Sequence, residues 1–344
     1  MRQSGSWWKF IALASLVCAM QCVSSRSMAE GRQECVGRYE LTIPGDADVA
    51  LTIPTAFSKP QENPIRFSDD QPAAHSVFIY DGTFRITGSM SHAEFGSILG
   101  GIKTRVSLSA ASTDENGRFE AIPAGRPDAF AWAGPRAAGF YIYENGRAIS
   151  FRESSSDPSV AKKHTEAVLK GLSARRSNEI PKGDGVCLPD MFVADSGKDS
   201  ARQVGVTFRL KNHPDVTIFF LDEKALAVDP KLTSKQKTEF VWGYEYGIGK
   251  RIRLVGAAPY QTVKLDGREG VGTSAIITRD DDSTDYGYLA TVQGDSNAPV
   301  DTPNLLLLVE RNAKYAKGNA PVSAEELDLM AKAIAASIRR RATQ

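Results

Sequence analysis

The chain has 344 residues and a formal net charge of +1 at pH 7, with 42% hydrophobic and 24% charged residues. This length accommodates two ordinary domains, and this composition excludes an intrinsically disordered chain or a protein with many membrane spans. The near-neutral charge argues against a dedicated nucleic-acid-binding protein, which would carry a basic stripe. The sequence therefore predicts a globular protein whose partners are not nucleic acids.

Residues 1–29 have the pattern of a secretory signal peptide. Arg2 and Lys9 provide its positive start, residues 10–20 form an apolar stretch, and small residues precede a cleavage point after Ala29. The apolar stretch is shorter than a membrane span requires. We therefore expect an exported protein, located in a bacterial periplasm, with no integral membrane segment after cleavage.

The four cysteines divide into two pairs. Cys18 and Cys22 lie at the end of the apolar stretch and offer lipid anchoring as an alternative to simple cleavage, although the residues before them match a lipoprotein signal poorly. Cys35 and Cys187 remain after cleavage, and an even count in an oxidising compartment favours one disulfide between them. Two buried, unpaired thiols are the alternative.

Strand patterns dominate the first half of the mature chain. A strand pattern over residues 36–43 follows Cys35, and two hairpins are predicted at Asp81-Gly82 and Asn145-Gly146, because these dipeptides favour two-residue turns. A helix is predicted over residues 91–102.

Capping signals and apolar spacing define the helices of this half. The first helix begins with a Ser91/Glu94 capping box. A second helix is predicted over residues 159–176, and its inner face comprises Val160, Ala167, Val168 and Leu172.

The second half repeats this series after a polar segment. Residues 179–185 contain proline and glycine and are typical of a linker. Cys187 then opens a new run of strand patterns, at residues 204–210, 215–221, 250–256, 274–279, 286–292 and 304–310. A closing helix is predicted from the Ser323/Glu326 capping box, with an apolar face of Leu327, Met330, Ala331, Ile334 and Ile338.

This succession of elements predicts an α+β protein of two domains. The N-terminal domain spans residues 30–178 and the C-terminal domain residues 186–344, joined by the linker at 179–185. Each domain is expected to contain a mostly antiparallel sheet with a packed C-terminal helix. Because both halves open with a cysteine and close with a helix and arginines, an internal pseudo-repeat is plausible.

The sequence contains no recognisable catalytic motif. No G-x-S-x-G segment is present, and the four histidines have none of the spacings that bind metals. The glycine-rich residues 243–250 and 266–274 lack the lysine and the strand-to-helix context of a phosphate-binding loop, so turns between strands are favoured. We therefore predict a protein that is not an enzyme and binds neither a cofactor nor a metal.

Two further segments are candidates for contacts. Residues 279–285 contain four aspartates but lack the glycine and glutamate of a calcium-binding EF-hand loop, which favours an acidic hairpin tip. Trp242, Tyr244 and Tyr246 alternate, which predicts three aromatic side chains on one face of a strand. Such a set suits either core packing or a protein interface.

Several segments together resemble a known family. "ECVGRYELTIPGDADVAL" resembles the opening of the N-terminal domain of type VI secretion immunity proteins, the cognate inhibitors of antibacterial lipase effectors. "GDGVCLPDMFVADSG" and "VTFRLKNHPDVTI" are similar to the start of that family's C-terminal domain. "VKLDGREGVGTSAIITRDDD", "YGYLATVQG" and "TPNLLLLVE" are similar to its later hairpin and closing strand.

The resemblance implies a periplasmic immunity protein that binds and neutralises a type VI secretion phospholipase, protecting the producer and its kin. The expected partner is the cognate secreted lipase, gripped by two domains so that lid motion or substrate entry is blocked. An exported solute-binding module or enzyme with an unrecognised site is the alternative. The expected effector interface borders the cleft between the domains and comprises Trp242, Tyr244, Tyr246, Asp280, Asp281, Asp282 and Asp285.

Overall fold

The fold of the chain was taken from a computed structural model. It describes residues 31–57, 64–114, 117–195, 200–227, 232–246 and 251–343. The predicted signal peptide, Cys18 and Cys22 lie outside the described residues. The strands pair antiparallel and four α-helices pack on them, which confirms the predicted α+β class. None of the described helices is long and apolar enough to cross a membrane.

The first half of the chain contributes twelve strands and two helices to the described structure. The strands are β1 Arg32–Val36, β2 Tyr39–Ile43, β3 Ala47–Val49, β4 Leu51–Thr52, β5 Ile65–Arg66, β6 Val77–Tyr80, β7 Thr83–Ile86, β8 Glu120–Ile122, β9 Ala129–Ala133, β10 Ala137–Glu144, β11 Arg147–Ser154 and β12 Leu172–Ala174. Helix α1, His92–Ala110, lies between β7 and β8, and helix α2, Pro158–Gly171, lies between β11 and β12.

The second half contributes ten strands and two helices to the described structure. The strands are β13 Gly185–Leu188, β14 Met191–Ala194, β15 Arg202–Leu210, β16 Val216–Glu223, β17 Ile252–Leu254, β18 Gln261–Leu265, β19 Arg268–Thr278, β20 Thr284–Val292, β21 Asn304–Arg311 and β22 Arg339–Arg340. Helix α3, Ser234–Tyr246, lies between β16 and β17, and helix α4, Ala324–Ser337, lies between β21 and β22.

The two halves repeat one topology. From the middle of the large sheet outward, the first half runs β6-β7-β11-β10-β9-β8 and the second runs β15-β16-β21-β20-β19-β17. In both halves, the last long strand (β11 or β21) lies beside the second strand of the first hairpin (β7 or β16). One helix (α1 or α3) interrupts the series of strands, and another (α2 or α4) follows the last long strand. This repetition supports the predicted pseudo-repeat.

The halves join through their first strands into one continuous sheet. β6 pairs antiparallel with β15, with Ile79 opposite Gln203 and Val77 opposite Gly205. The large sheet therefore continues across both halves, and the predicted domain boundary at residues 179–185 does not coincide with a break in it. The division into two domains stays a prediction.

Two smaller sheets exchange a strand between the halves. β22, the last strand of the chain, pairs with β2 of the first half. In the other direction β12, which follows α2 of the first half, pairs with β14 of the second half. Each of the two small sheets therefore contains strands from both halves.

A disulfide links these two small sheets. Cys35 on β1 and Cys187 on β13 are bonded, with their Cα atoms 5.7 Å apart, and both side chains are buried. The backbones of Gly37 and Cys187 also exchange two hydrogen bonds beside it. The predicted pairing is confirmed, and it joins equivalent positions of the two halves.

Local turn and capping signals determine many of the elements. Asp81, Asn145 and Asp266 adopt positive φ angles of 49°, 48° and 56° at hairpin turns, a conformation that asparagine and aspartate tolerate better than most residues. The predicted hairpins at Asp81 and Asn145 are therefore confirmed. Both predicted capping boxes are present at the starts of α1 and α4.

Three predictions of secondary structure require correction. The helix predicted over residues 159–176 ends at Gly171, and Leu172, predicted on its inner face, begins strand β12. The aromatic residues 242–246 lie in helix α3 and not in a strand. In α2, Val168 is buried as predicted, but Val160 and Ala167 are exposed, because the helix turns its other side to the sheet through Ala161 and Thr165.

The large sheet carries helices on both faces. Helices α2 and α4 cover one face, where the main core lies and includes Phe140, Phe220 and Ile334. Helices α1 and α3 pack on the opposite face at its two ends. Smaller cores lie beneath them, around Phe95 under α1 and Trp242 under α3.

Candidate functional site

A groove crosses the middle of the sheet face that carries α1 and α3. In the described part of the chain, α1 packs mainly on β8–β10 and α3 mainly on β19–β20, and the face between them is formed by β6, β7, β15 and β16. We call this region the central groove. Val77 and Ile79 of β6 are half-buried on this face, and Phe219 of β16 is buried in the same core as Trp242.

The floor of the central groove is apolar and tightly packed. The Phe219 ring lies close over Gly205, where an added Cβ atom would stand 2.5 Å from a ring carbon, so a larger residue at 205 would require the ring to shift. The His75 ring contacts the other side of this cluster, with its centroid 5.5 Å from that of Phe219. Such a floor offers shape and apolar area, which suits contact with a protein surface.

Helix α3 forms one wall of the central groove. Lys237, Val241 and Tyr244 recur at i, i+4 and i+7 and so lie on one side of the helix. The Lys237 ammonium is 3.9 Å from the Glu223 carboxylate of β16, which identifies this side as the one that faces the middle of the sheet.

Two aromatic side chains project from this wall into solvent. Tyr244 is 77% exposed and Phe240 is 56% exposed. Their rings stack with centroids 5.7 Å apart and an interplanar angle of 15°. Exposed, mutually supported aromatic residues are the kind that anchor protein interfaces. Sequence reasoning missed Phe240, although its i, i+4 spacing from Tyr244 is readable once a helix is assumed.

Trp242 belongs to the core and not to an exposed interface. Its side chain is completely buried, and its indole N–H donates to the Thr273 hydroxyl at 2.8 Å. The backbone at Gly287 approaches the indole closely. Trp242 therefore has a structural role in place of the predicted interface role. Tyr246 also lies in α3, but its side chain is outside the described part of the structure.

The acidic segment forms the predicted hairpin tip between β19 and β20. Asp280, Asp281 and Asp282 are exposed at this turn. Asp281 accepts a hydrogen bond from the Ser283 backbone N–H at 3.1 Å, and hydrogen bonding to the Ser283 side chain and backbone lowers the Asp281 pKa to about 2. Asp280 pairs with Arg251. These three carboxylates remain accessible to a partner.

Asp285 differs from the other three aspartates because it is buried. Its carboxylate lies 2.5 Å from the Arg279 guanidinium and 3.1 Å from that of Arg311, and it accepts the Ala313 backbone N–H. These contacts tie the tip to β21. The predicted interface role of Asp285 is replaced by a structural one.

A buried network of ion pairs lies where the halves meet. The Arg202 guanidinium is 2.8 Å from both the Asp222 and the Asp301 carboxylates. Arg38 and Arg340 approach the same Asp301 oxygen at 3.3 and 3.0 Å. Burial raises the pKa of Asp301, but the three guanidinium groups outweigh burial and lower it below its ordinary value. We call these five residues the seam network.

Two of the described histidines lie close to carboxylates. His164 Nδ1 lies 2.9 Å from Glu153 Oε1 and links α2 to β11, while His92 lies 3.9 Å from Asp128 on the surface. Among the residues that the structure describes, no group of three or more His, Cys, Asp or Glu could hold a metal ion.

A cavity beside the central groove is lined by charged side chains that form ion pairs with one another or with neighbouring residues. It has a volume of about 280 Å³ and is lined by Arg209, Arg279 and Arg311. Arg209 pairs with Asp69 at 2.9 Å, and the other two pair with Asp285. Because these cations are neutralised within the chain, the cavity lacks the free charge that would recognise an anionic ligand.

Comparisons with known proteins place this geometry in context. A comparison with curated proteins returned no match. Two solved structures of the type VI secretion immunity protein TplEi from Pseudomonas aeruginosa are similar, one free and one with an "L" peptide. Their sequence identities are 15% and 14%, with TM-scores of 0.62 and 0.61, over 92% and 91% of this chain and 99% of each of theirs.

A third similar structure is that of a Tle4–Tli4 complex. It matches at 15% identity with a TM-score of 0.62, over 92% of this chain and 99% of the matched chain. The chain thus has the fold of solved type VI secretion immunity proteins. More particularly, residues 179–343 match the model of the family described as the Tle cognate immunity protein 4 C-terminal domain.

Proposed function

We propose that this protein is a periplasmic immunity protein that binds a cognate type VI secretion lipase and keeps it inactive. The observation that carries the proposal is the match of residues 179–343 to the model of that immunity-protein family. The shared fold over 92% of the chain supports it. A protein of this kind acts by stoichiometric binding and protects the producing cell and its kin from membrane damage.

The central groove is the proposed binding surface. Phe240 and Tyr244 serve as anchors from one wall, and the apolar floor around Phe219 excludes water from the contact. The exposed carboxylates of Asp280–Asp282 and the tyrosine at 246 are proposed as parts of the rim. A lipase segment held in such a groove cannot make the lid movement that admits substrate.

Export to the periplasm is part of the same proposal. Residues 1–29 supply the predicted signal peptide. The buried Cys35–Cys187 disulfide supports an oxidising compartment, since such bonds are rare in the bacterial cytosol.

The experiment that tests the proposal is periplasmic co-expression with a candidate cognate type VI secretion lipase. We expect the lipase alone to lyse the host, and co-expression of this protein to restore growth and to yield a 1:1 complex on purification. A lipase whose catalytic serine is replaced is the matched control for toxicity. Failure both to rescue growth and to co-purify would reject the proposed function.

A further inference from the structure

Strand β18 is an open edge of the large sheet. Among the described residues, β18 pairs only with β19. The two strands are joined by a two-residue turn, Asp266-Gly267, with φ angles of 56° and 70°. The hydrogen-bonded pair Leu265 and Arg268 flanks such a turn. Because hydrogen bonding alternates along the strand, Thr262 and Lys264 direct their backbone N–H and C=O groups away from β19.

A groove runs between this open edge and helix α4. It has a volume of about 450 Å³, and its lining includes Thr262 and Lys264 from the strand and Lys332 and Ala336 from the helix. Leu329 lies seven residues before Ala336 and therefore on the same side of α4. This leucine is 67% exposed, so the groove has an apolar margin.

Of the two lysines that line this groove, Lys332 forms an ion pair within the described residues and Lys264 does not. The Lys332 ammonium pairs with Asp328 at 2.7 Å. Lys264 is exposed and stands opposite Glu269 on β19, yet no ion pair joins them in the described structure. A carboxylate arriving on the open side of β18 would therefore find an uncompensated ammonium group.

We propose that an extended segment of the lipase effector adds to β18 as a further strand. Its backbone would pair with Thr262 and Lys264, an acidic side chain would lie beside Lys264, and neighbouring apolar side chains would pack towards Leu329 and Ala336. A groove between an edge strand and a helix is a recurrent site for this mode of recognition. The inference rests on the proposed function, because it takes the effector as the source of the segment.

Two further observations favour an effector segment. Antiparallel pairing of two β18 strands from two copies of this chain would bring their Lys264 side chains together, and like charges at such positions destabilise pairing. Tyr260, which directly precedes β18, donates to Glu239 of α3 at 3.1 Å. Strand β18 therefore begins beside α3, the helix that carries the proposed anchors Phe240 and Tyr244.

The test is the pair of variants Lys264→Pro and Lys264→Ala. Proline removes the outward N–H of residue 264 but leaves the pairing with β19, which does not use that group. Alanine removes the same charge and keeps the N–H. We expect the proline variant to bind the lipase at least about tenfold more weakly than the alanine variant, a loss on the scale of one strand hydrogen bond to a desolvated partner. We also expect slowed hydrogen exchange of the Thr262 and Lys264 amides in the wild-type complex.

Equal affinity of the two variants, with unprotected amides, would overturn the inference. If the proline variant loses its native circular dichroism spectrum, Lys264→Glu decides, because charge reversal should weaken binding beyond Lys264→Ala. If the wild-type protein does not bind the lipase, the proposed function fails, and the groove is tested with the peptide Val-Glu-Val-Glu-Val. Changes in the NMR chemical shifts of the Thr262, Lys264 and Ala336 amides on adding the peptide would support strand addition. Unchanged NMR spectra at millimolar peptide would reject it.

Discussion

At the scale of single residues, the exposed pair Phe240 and Tyr244 decides whether α3 is a binding surface. Replacing either residue by alanine should weaken effector binding by about 2 kcal/mol, roughly thirtyfold, as for anchor residues in other interfaces. The free protein should keep its stability, because both rings face solvent. Titration calorimetry with the purified lipase measures the affinity, and urea unfolding measures the stability.

The matched control is Val160→Ala on the outer side of α2. Val160 is also exposed, but it lies on the opposite face of the sheet and should leave the affinity unchanged. Equal effects of Val160→Ala and Tyr244→Ala would show that the loss of exposed apolar area, and not the central groove, accounts for the change.

For Trp242 we expect a loss of stability, in contrast to the loss of affinity expected for Phe240 and Tyr244. Trp242→Ala removes a fully buried side chain and its hydrogen bond to Thr273. The free energy of unfolding should fall by about 3–5 kcal/mol, the usual cost of such a cavity. Chemical denaturation measures this change. A variant that unfolds like the wild type but fails to bind would instead restore Trp242 to the interface.

At the scale of elements, the sequence predicted those whose signals are local. Asn145-Gly146 favours a two-residue turn by its own backbone preference, and Ser323 with Glu326 forms a cap within one helical turn. The aromatic residues 242–246 were misassigned because i, i+2, i+4 spacing also contains an i, i+4 pair, which a helix satisfies equally. The helix is favoured because it buries Trp242 against β19 and β20. This contact joins segments distant in sequence, so no local pattern predicts it.

The hairpin of β19 and β20 depends on Asp285 at its base. Asp285→Asn removes the charge that Arg279 and Arg311 share. Leaving buried cations unpaired costs about 3–5 kcal/mol, so the unfolding midpoint in urea should fall clearly. Asp282→Asn at the exposed tip is the control and should have almost no effect. Similar midpoints for the two variants would contradict the structural role of Asp285.

At the scale of the whole molecule, the seam network makes stability depend on pH. The pKa of Asp301 is lower in the folded protein than its ordinary value of about 3.9. Its stabilising contribution is therefore complete above that ordinary value and is lost as the pH falls through the folded pKa. Urea midpoints should decline on acidification below about pH 4. Asp301→Asn should be less stable at pH 7 and should lose less on acidification; parallel curves for the two proteins would contradict this linkage.

The disulfide contributes to the same connection between halves. Cys35 and Cys187 are 152 residues apart in sequence, and closing so long a loop restricts the unfolded chain by about 5 kcal/mol in the chain-entropy description. Reduction should lower the free energy of unfolding by about 3–5 kcal/mol. Urea unfolding with and without reductant measures the loss. The double variant Cys35→Ser/Cys187→Ser should not respond to reductant, and a response would point to another cause.

The repetition of the two halves was visible in the sequence, but their junction was not. The pairing of β6 with β15 joins strands more than a hundred residues apart, and neither strand pattern specifies its neighbour. The central groove follows from that junction, because it lies between helices that belong to different halves. The proposed binding surface thus depends on long-range strand pairing, which no local sequence pattern specifies.

The exchange of β12 and β22 has a consequence for biosynthesis. Strand β22, at residues 339–340, completes the first small sheet, so that sheet cannot close until these residues have been synthesised. Neither half, expressed alone, would carry all the strands that its sheets require. On the proposed function, immunity would therefore begin only after β22 has paired with β2, and a truncation that removes β22 would leave the cell unprotected.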